Sequence, residues 1–140
     1  MKNYSINNFR LDGKMAVVTG GCGNLGPYWV SALLDAGARV VIIDLPNTRI
    51  PTDLKRITKK RLRLYDADIT NINQLKDIHK RIFTDFGPVQ ILVNNAGIDA
   101  PPVKNAQKGI DQAQKNKRYQ MMWDVNVQAI VNCIDAYIKL

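Results

Sequence analysis

The chain has 140 residues, 46% of them apolar, and a formal net charge of +8. That length fits one domain, long enough to remove about two thirds of the unfolded surface from water. The apolar runs fall far short of the about 20 residues a membrane helix needs, and two well-separated cysteines imply no disulfide framework. No ligand cluster points to a metal, and the polar Met1–Leu11 stretch does not read as a signal peptide. A cytoplasmic enzyme domain is therefore the expectation.

The positive charge gathers at Lys55, Arg56, Lys59, Lys60, Arg61 and Arg63, and again at Lys104, Lys108, Lys115, Lys117 and Arg118. Such clusters serve either a nucleic-acid surface or solvated faces that also attract an anionic cofactor. No aromatic interleaving or nucleic-acid motif accompanies them, which favours the second reading. All 12 acidic residues are Asp.

In chain order, Met1–Asp12 is a polar lead-in with Phe9 and Leu11 as anchors, and Asp12-Gly13 is a turn signal. Lys14–Thr19 is a near-continuous apolar run, the pattern of a parallel strand buried on both faces. A glycine-rich turn follows. A helix then runs from Tyr28 to Ala36 with Trp29, Val30, Leu33 and Leu34 as its apolar stripe, Pro27 in its first turn and Gly37 as its stop. Arg39–Asp44 is a second strand. Pro46 and Pro51 bracket a loop, and a short basic helix is expected over Thr52–Lys60. Arg61–Tyr65 alternates charged and apolar residues, as an edge strand does. Asn71–Phe86 is a helix with Ile72, Leu75, Ile78, Ile82 and Phe86 on one face, ended by Gly87-Pro88. Val89–Val93 is the fourth strand. Ile98 to about Asn116 reads as a polar loop, and a last helix runs from about Arg118 with Met122, Val125, Ala129, Cys133, Ala136 and Leu140 near one face.

Strands alternating with helices build right-handed βαβ units. The expected fold is α/β, an incomplete Rossmann-type doubly wound parallel sheet of about four strands in the order 3-2-1-4, over residues 1–140.

The chemistry is concentrated at the ends of these strands. Gly21, Gly23 and Gly26 match the spacing G-x-G-x-x-G between a strand and a helix, the context that dinucleotide binding requires. Such glycines permit a tight turn, a close approach of pyrophosphate to the backbone, and close packing of helix on strand. The following helix N-terminus offers unpaired N–H groups to the phosphates. Asp44, 18 residues after Gly26 and beside Leu45, ends the second strand. A carboxylate there can accept hydrogen bonds from the ribose hydroxyls and would repel a 2′-phosphate, so NAD is expected over NADP. The competing reading of Asp44 is a capping or turn Asp.

Thr19-Gly20-x-x-Gly23-x-x-Gly26, Asp44, Asp66-Ala67-Asp68-Ile69-Thr70, Asn94-Asn95-Ala96-Gly97 and Asn126 occur together and in this order. In that set the chain resembles the N-terminal part of a short-chain dehydrogenase/reductase. The resemblance implies that Thr19, Gly20, Gly21, Gly23, Asn24, Leu25 and Gly26 hold the cofactor phosphates. It implies that Asp68 and Ile69 meet the adenine, and that Asn94, Asn95, Ala96 and Gly97 close the adenosine pocket and steady the sheet. Asn126 resembles the helical asparagine that positions a water in the proton relay, and stands as the catalytic candidate. The competing readings are a capping Asp68 before the Asn71 helix, a plain turn at Asn94–Gly97, and a solvent-facing Asn126.

The family pattern is not matched throughout. Glycine is usual where Asn24 stands, and Gly97–Asn126 is long for the family. In the family, catalysis needs a Ser and a Tyr-x-x-x-Lys beyond the Asn126 position. None of the tyrosines at 4, 28, 65, 119 and 137 is followed by Lys four residues later, and Tyr137 and Lys139 point to different faces of a helix. The expectation is a partial NAD-binding domain, inactive alone, whose fourth strand leaves an uncovered edge that favours self-association. The function implied is hydride transfer between nicotinamide and an alcohol or ketone. A non-catalytic nucleotide-binding fragment is the alternative, and a basic nucleic-acid-binding domain is a distant third. The partner is then a small-molecule substrate, with no nucleic acid, no membrane and a homo-oligomer in the full-length form. His79 reads as a surface histidine and Cys22 as a small residue beside the phosphates.

Overall fold

Strand alternation along an apolar run sends successive side chains to opposite faces, and here both faces are covered. The computed structural model describes residues 9–99 and 112–137. The lead-in 1–8, Pro101-Pro102, Lys104, Lys108, Lys139 and Leu140 lie outside the described residues. Strands β1 (Met15–Thr19), β2 (Arg39–Asp44), β3 (Leu62–Asp66) and β4 (Ile91–Asn94) form one parallel sheet in the order β3-β2-β1-β4. Val17 lies opposite Val41 on one side and Leu92 on the other.

On one face Met15, Val17, Val41 and Ile43 pack beneath α2 (Ile72–Phe86) and α4 (Ala129–Tyr137). On the other, Ala16, Val18, Val40 and Ile42 pack against Val30 and Leu34 of α1 (Gly26–Asp35) and against Leu54. Each of the large side chains in these layers stabilises by about 1.5–3 kcal/mol through burial. The helix α2 forms where expected because Asn71 caps it, accepting from the N–H groups of Asn73 and Gln74. Its stop is Gly87, at φ +86.

Several expectations are corrected. The basic helix over Thr52–Lys60 shrinks to a single 3-10 turn, Thr52–Leu54. Lys55 and Lys59, and likewise Arg56 and Lys60, would repel one another at helical i,i+4 spacing. Trp29 leaves the α1 stripe and is 50% exposed, because Val30 and Leu34 point to the sheet and Trp29 lies one residue round the helix. The last helical segment begins earlier, with α3 at Gln112–Trp123, and is interrupted by a π turn at Asp124–Gln128 before α4. His79 is half-buried and sets its ring edge-on to Tyr137, 5.1 Å between centroids. The docking of α4 on α2 brings the two rings together.

Arginines finish the end of the sheet where the strands start. Arg39 donates to Phe86 O at 2.8 Å, Arg61 donates to Leu34 O and Ala38 O, and Arg10 donates to Asp35 O at 3.5 Å. These carbonyls lie at or just beyond the C-terminal turns of α1 and α2, where cations complement both unpaired oxygens and the helix dipole.

Candidate functional site

The opposite end of the sheet holds a cavity of 360 Å³ where the four strands finish. Gly20, Gly23, Asn24, Leu25, Asp44, Leu45, Asp68, Ile69, Asn95, Ala96 and Gly97 line it. The structure thus brings most of the sequence candidates to one place. Thr19, Gly21, Gly26 and Asn94 are not in that lining and stand behind it.

The turn between β1 and α1 is closely fitted. Gly20 sits at φ +63, and a Cβ on it would lie 2.7 Å from Ala96 Cα. A Cβ on Gly26 would lie 2.4 Å from Gly20 O, so the first turn of α1 rests directly on the turn backbone. Gly21 is held the same way against the Ile42 side chain. Asn24 needs no left-handed backbone: among the described residues Asn47 is the one non-glycine at positive φ. No side chain caps the start of α1 at Leu25, which leaves its first N–H groups for solvent or a ligand.

Asp44 is built into this turn. Its Oδ2 accepts from Cys22 N–H and its Oδ1 from Leu45 N–H, both at 2.9 Å. The two bonds fix the carboxylate at the cavity wall. Cys22, half-buried and beside Asp44, has its thiol pushed up to about 11, chiefly by burial and then by that carboxylate. It is a neutral thiol near pH 7, as its reading as a plain small residue requires.

Asp68 Oδ1 accepts from Thr70 N–H at 2.9 Å and from the Thr70 hydroxyl at 2.7 Å. Asp68 shapes the turn, whereas the helix cap is Asn71. Ile69 is buried under the cavity. Thr19, 1% exposed, ties the ends of β1 and β4 together: its hydroxyl oxygen accepts from the N–H groups of Asn95 and Ala96, both at 3.2 Å. Asn95 returns the tie, donating through Nδ2 to Thr19 O and Gly20 O at 3.1 and 2.9 Å. Asn94 Oδ1 is buried and has no partner among the described residues.

Asn126 lies in the π turn. Its Oδ1 accepts from Ile98 N–H at 2.9 Å and its Nδ2 donates to Ile98 O at 2.8 Å. A mid-helix asparagine is intrinsically unfavourable, and this two-bond match to one residue's backbone offsets that. The side chain does not face solvent freely. It holds the segment after β4 against the cavity, and a Cβ on Gly97 would lie 3.3 Å from Asn126 Oδ1, a tight approach.

Sequence reasoning missed Ile43, Ala67, Ile98 and Val125 as lining residues. All four are apolar, and an apolar wall residue carries no local mark that separates it from a core residue. Among the described residues no group of three or more His, Cys or Asp could hold a metal ion, and no helix is long and apolar enough to cross a membrane.

A family model described as short chain dehydrogenase matches residues 14–140. The chain belongs to the short chain dehydrogenase family. The family is one of oxidoreductases that bind a nicotinamide cofactor and act on small molecules. The chain is 40% identical over 100 residues to the short chain dehydrogenase/reductase dpchG of Colletotrichum higginsianum, covering 70% of this chain and 37% of that protein. It is 36% identical over 135 residues to a galactitol 2-dehydrogenase of Rhizobium johnstonii, covering 92% of this chain and 48% of that protein. The solved gluconate 5-dehydrogenase of Burkholderia cenocepacia, in complex with NADP and tartrate, superposes with a TM-score of 0.76 at 25% identity, over 94% of this chain and 49% of that one. The chain therefore spans less than half the length of these relatives.

Proposed function

We propose that this short chain dehydrogenase chain binds NAD and forms the cofactor half of an enzyme that transfers hydride between nicotinamide and an alcohol or ketone. The observation that carries the choice of NAD is Asp44. Its carboxylate is fixed at the cavity wall by two backbone N–H groups, and no Lys or Arg is among the described lining residues. A fixed negative charge favours ribose hydroxyls as donors and opposes a 2′-phosphate. The NADP in the Burkholderia gluconate 5-dehydrogenase belongs to that protein.

The residues fit the cofactor on structural grounds: Gly20 and Gly23 line the cavity, α1 starts without a side-chain cap, and the Asp44 carboxylate is fixed at the wall. When bound, NAD supplies the hydride acceptor. This chain's residues do the holding. The turn backbone and the uncapped start of α1 meet the pyrophosphate, Asp44 and Leu45 meet the ribose, and Asp68 and Ile69 meet the adenine. Thr19 and Asn94 to Gly97 hold the strand ends at the spacing the cofactor needs. Asn126 is a positioning residue in this reading: it acts on the reaction through Ile98 and the cavity wall. The acid–base groups of the reaction lie outside the motifs of this chain, so activity belongs to the whole enzyme and the chain by itself is a binding half.

We also place the protein in the cytoplasm as a homo-oligomer. Two free thiols, Cys22 and Cys133, suit a reducing compartment. Tyr119, Trp123, Val127 and Val131 recur every four residues from α3 into α4 and are 40–65% exposed, an apolar row suited to a second copy.

A fluorescence titration with both reduced cofactors tests the cofactor choice. NADH is expected to bind more tightly than NADPH, and Asp44→Ala to lower NADH affinity about tenfold or more, the scale of a hydrogen bond to a charged group. Tighter binding of NADPH to the unaltered chain would overturn the assignment.

A further inference from the structure

A second cavity, of 460 Å³, lies at the end of the sheet where the strands begin. Arg39, Lys59, Lys60, Arg63, Asp85 and Phe86 line it. Four cations face one carboxylate there, and that carboxylate is engaged: Asp85 accepts from the Tyr65 hydroxyl at 2.7 Å and pairs with Arg63. Both arginines are held in place. Arg39 donates to Phe86 O, and the guanidinium carbons of Arg39 and Arg63 lie 5.9 and 5.1 Å from the Phe86 ring centroid. Guanidinium groups already fixed lose little entropy when they bind. The exposed Lys59 and Lys60 add two mobile point charges.

We propose that this cavity is a second anion site, which takes a compact multivalent anion of the di- or triphosphate class. Four cations gathered around one cavity favour a compact multivalent group over an extended acidic peptide. The planar forks of the arginines match phosphate oxygens, and the lysines complete the charge. Phe86 is 7% exposed and its ring is covered by guanidinium groups, so it offers no face for a base to stack on. The charged group is thus what the site reads. The C-terminal end of α2 would oppose an anion, and Arg39 on Phe86 O offsets that. The site is separate from the cofactor cavity: five residue steps of β2 run from Arg39 to Asp44, about 16 Å at the usual strand rise.

Calorimetric titration of the 140-residue chain with tripolyphosphate at low ionic strength tests this. Lys59→Gln with Lys60→Gln removes two exposed charges and is expected to weaken binding about tenfold, the effect of two exposed ion pairs. Lys115→Gln with Lys117→Gln removes the same charge from exposed positions on α3 and is expected to leave binding unchanged. Equal weakening by both pairs would mean that net charge alone attracts the ion. No weakening by either would place the ion elsewhere, on the glycine turn for instance. Either result, or no binding at all, sinks the proposal. ATP binding with the same sensitivity to Lys59 and Lys60 supports it with nucleotides as a source, and adenosine is expected not to compete.

Discussion

The two ends of this parallel sheet are built from opposite chemistry. Where the strands finish, the chain presents glycine backbone, Asp44, Asp68 and an uncapped start of α1. Where they begin, it presents Arg10, Arg39, Arg61 and Arg63, three of them donating to carbonyls at helix C-termini. The cause is directional. In βαβ units every helix runs antiparallel to the strands it joins, so N–H groups and positive dipole ends gather at one end of the sheet and carbonyls at the other. Arginine belongs where carbonyls need donors, and the pyrophosphate of the proposed cofactor belongs where N–H groups need acceptors. Part of the +8 charge is thereby explained as structural.

The sharpest way to break this contrast is at the glycine end. Gly26→Val places carbon within 2.4 Å of Gly20 O. We expect a stability loss of about 3 kcal/mol from overpacking and loss of NADH binding, read by chemical denaturation and cofactor titration. A variant with unchanged midpoint and affinity would show that α1 does not rest on the turn as described.

At the other end the effect should be smaller and purely structural. Arg61→Met removes the donor to Leu34 O and Ala38 O. The expected cost is about 1 kcal/mol, the usual worth of a cation at a helix C-terminus, with NADH affinity unaltered. A loss of cofactor affinity without loss of stability would erase the proposed division between the ends.

The smallest effect concerns the thiols. Burial raises Cys133 to about 11, and burial with Asp44 raises Cys22 to about 11, from an ordinary value of 9.0. Folded values above unfolded ones mean that the neutral thiols stabilise fully below pH 9, and that this is lost as pH rises through 11. The denaturation midpoint should fall across that window, and alkylation of Cys22 should stay slow at pH 7 and accelerate toward pH 11. Rapid alkylation at neutral pH would contradict the half-buried, carboxylate-flanked setting of Cys22.

The legible part of the fold was its alternation. Val17-Val18 and Val40-Val41-Ile42-Ile43 could only be strands covered on both faces, and the Ile72-to-Phe86 stripe could only be an amphipathic helix. The strand order 3-2-1-4 followed, as the structure shows. Local charge was less legible. A short basic helix is expected over Thr52–Lys60, yet repulsion at i,i+4 and the neighbouring anchors Leu54 and Ile57 leave one 3-10 turn. Trp29 and His79 traded expected environments because a helix only one residue out of phase, or one neighbouring ring, decides burial.

In the candidate site, sequence alone determined which polar and glycine residues gather where the strands end, because chain order and strand direction dictate that meeting. Only the tertiary structure decided what each does there. Asp44 answers to Cys22, Thr19 to Asn95, and Asn126, in a π turn, to Ile98. Those partners are up to 76 residues apart. No local pattern encodes such pairs, since they depend on the register of packed layers and not on any short stretch of chain.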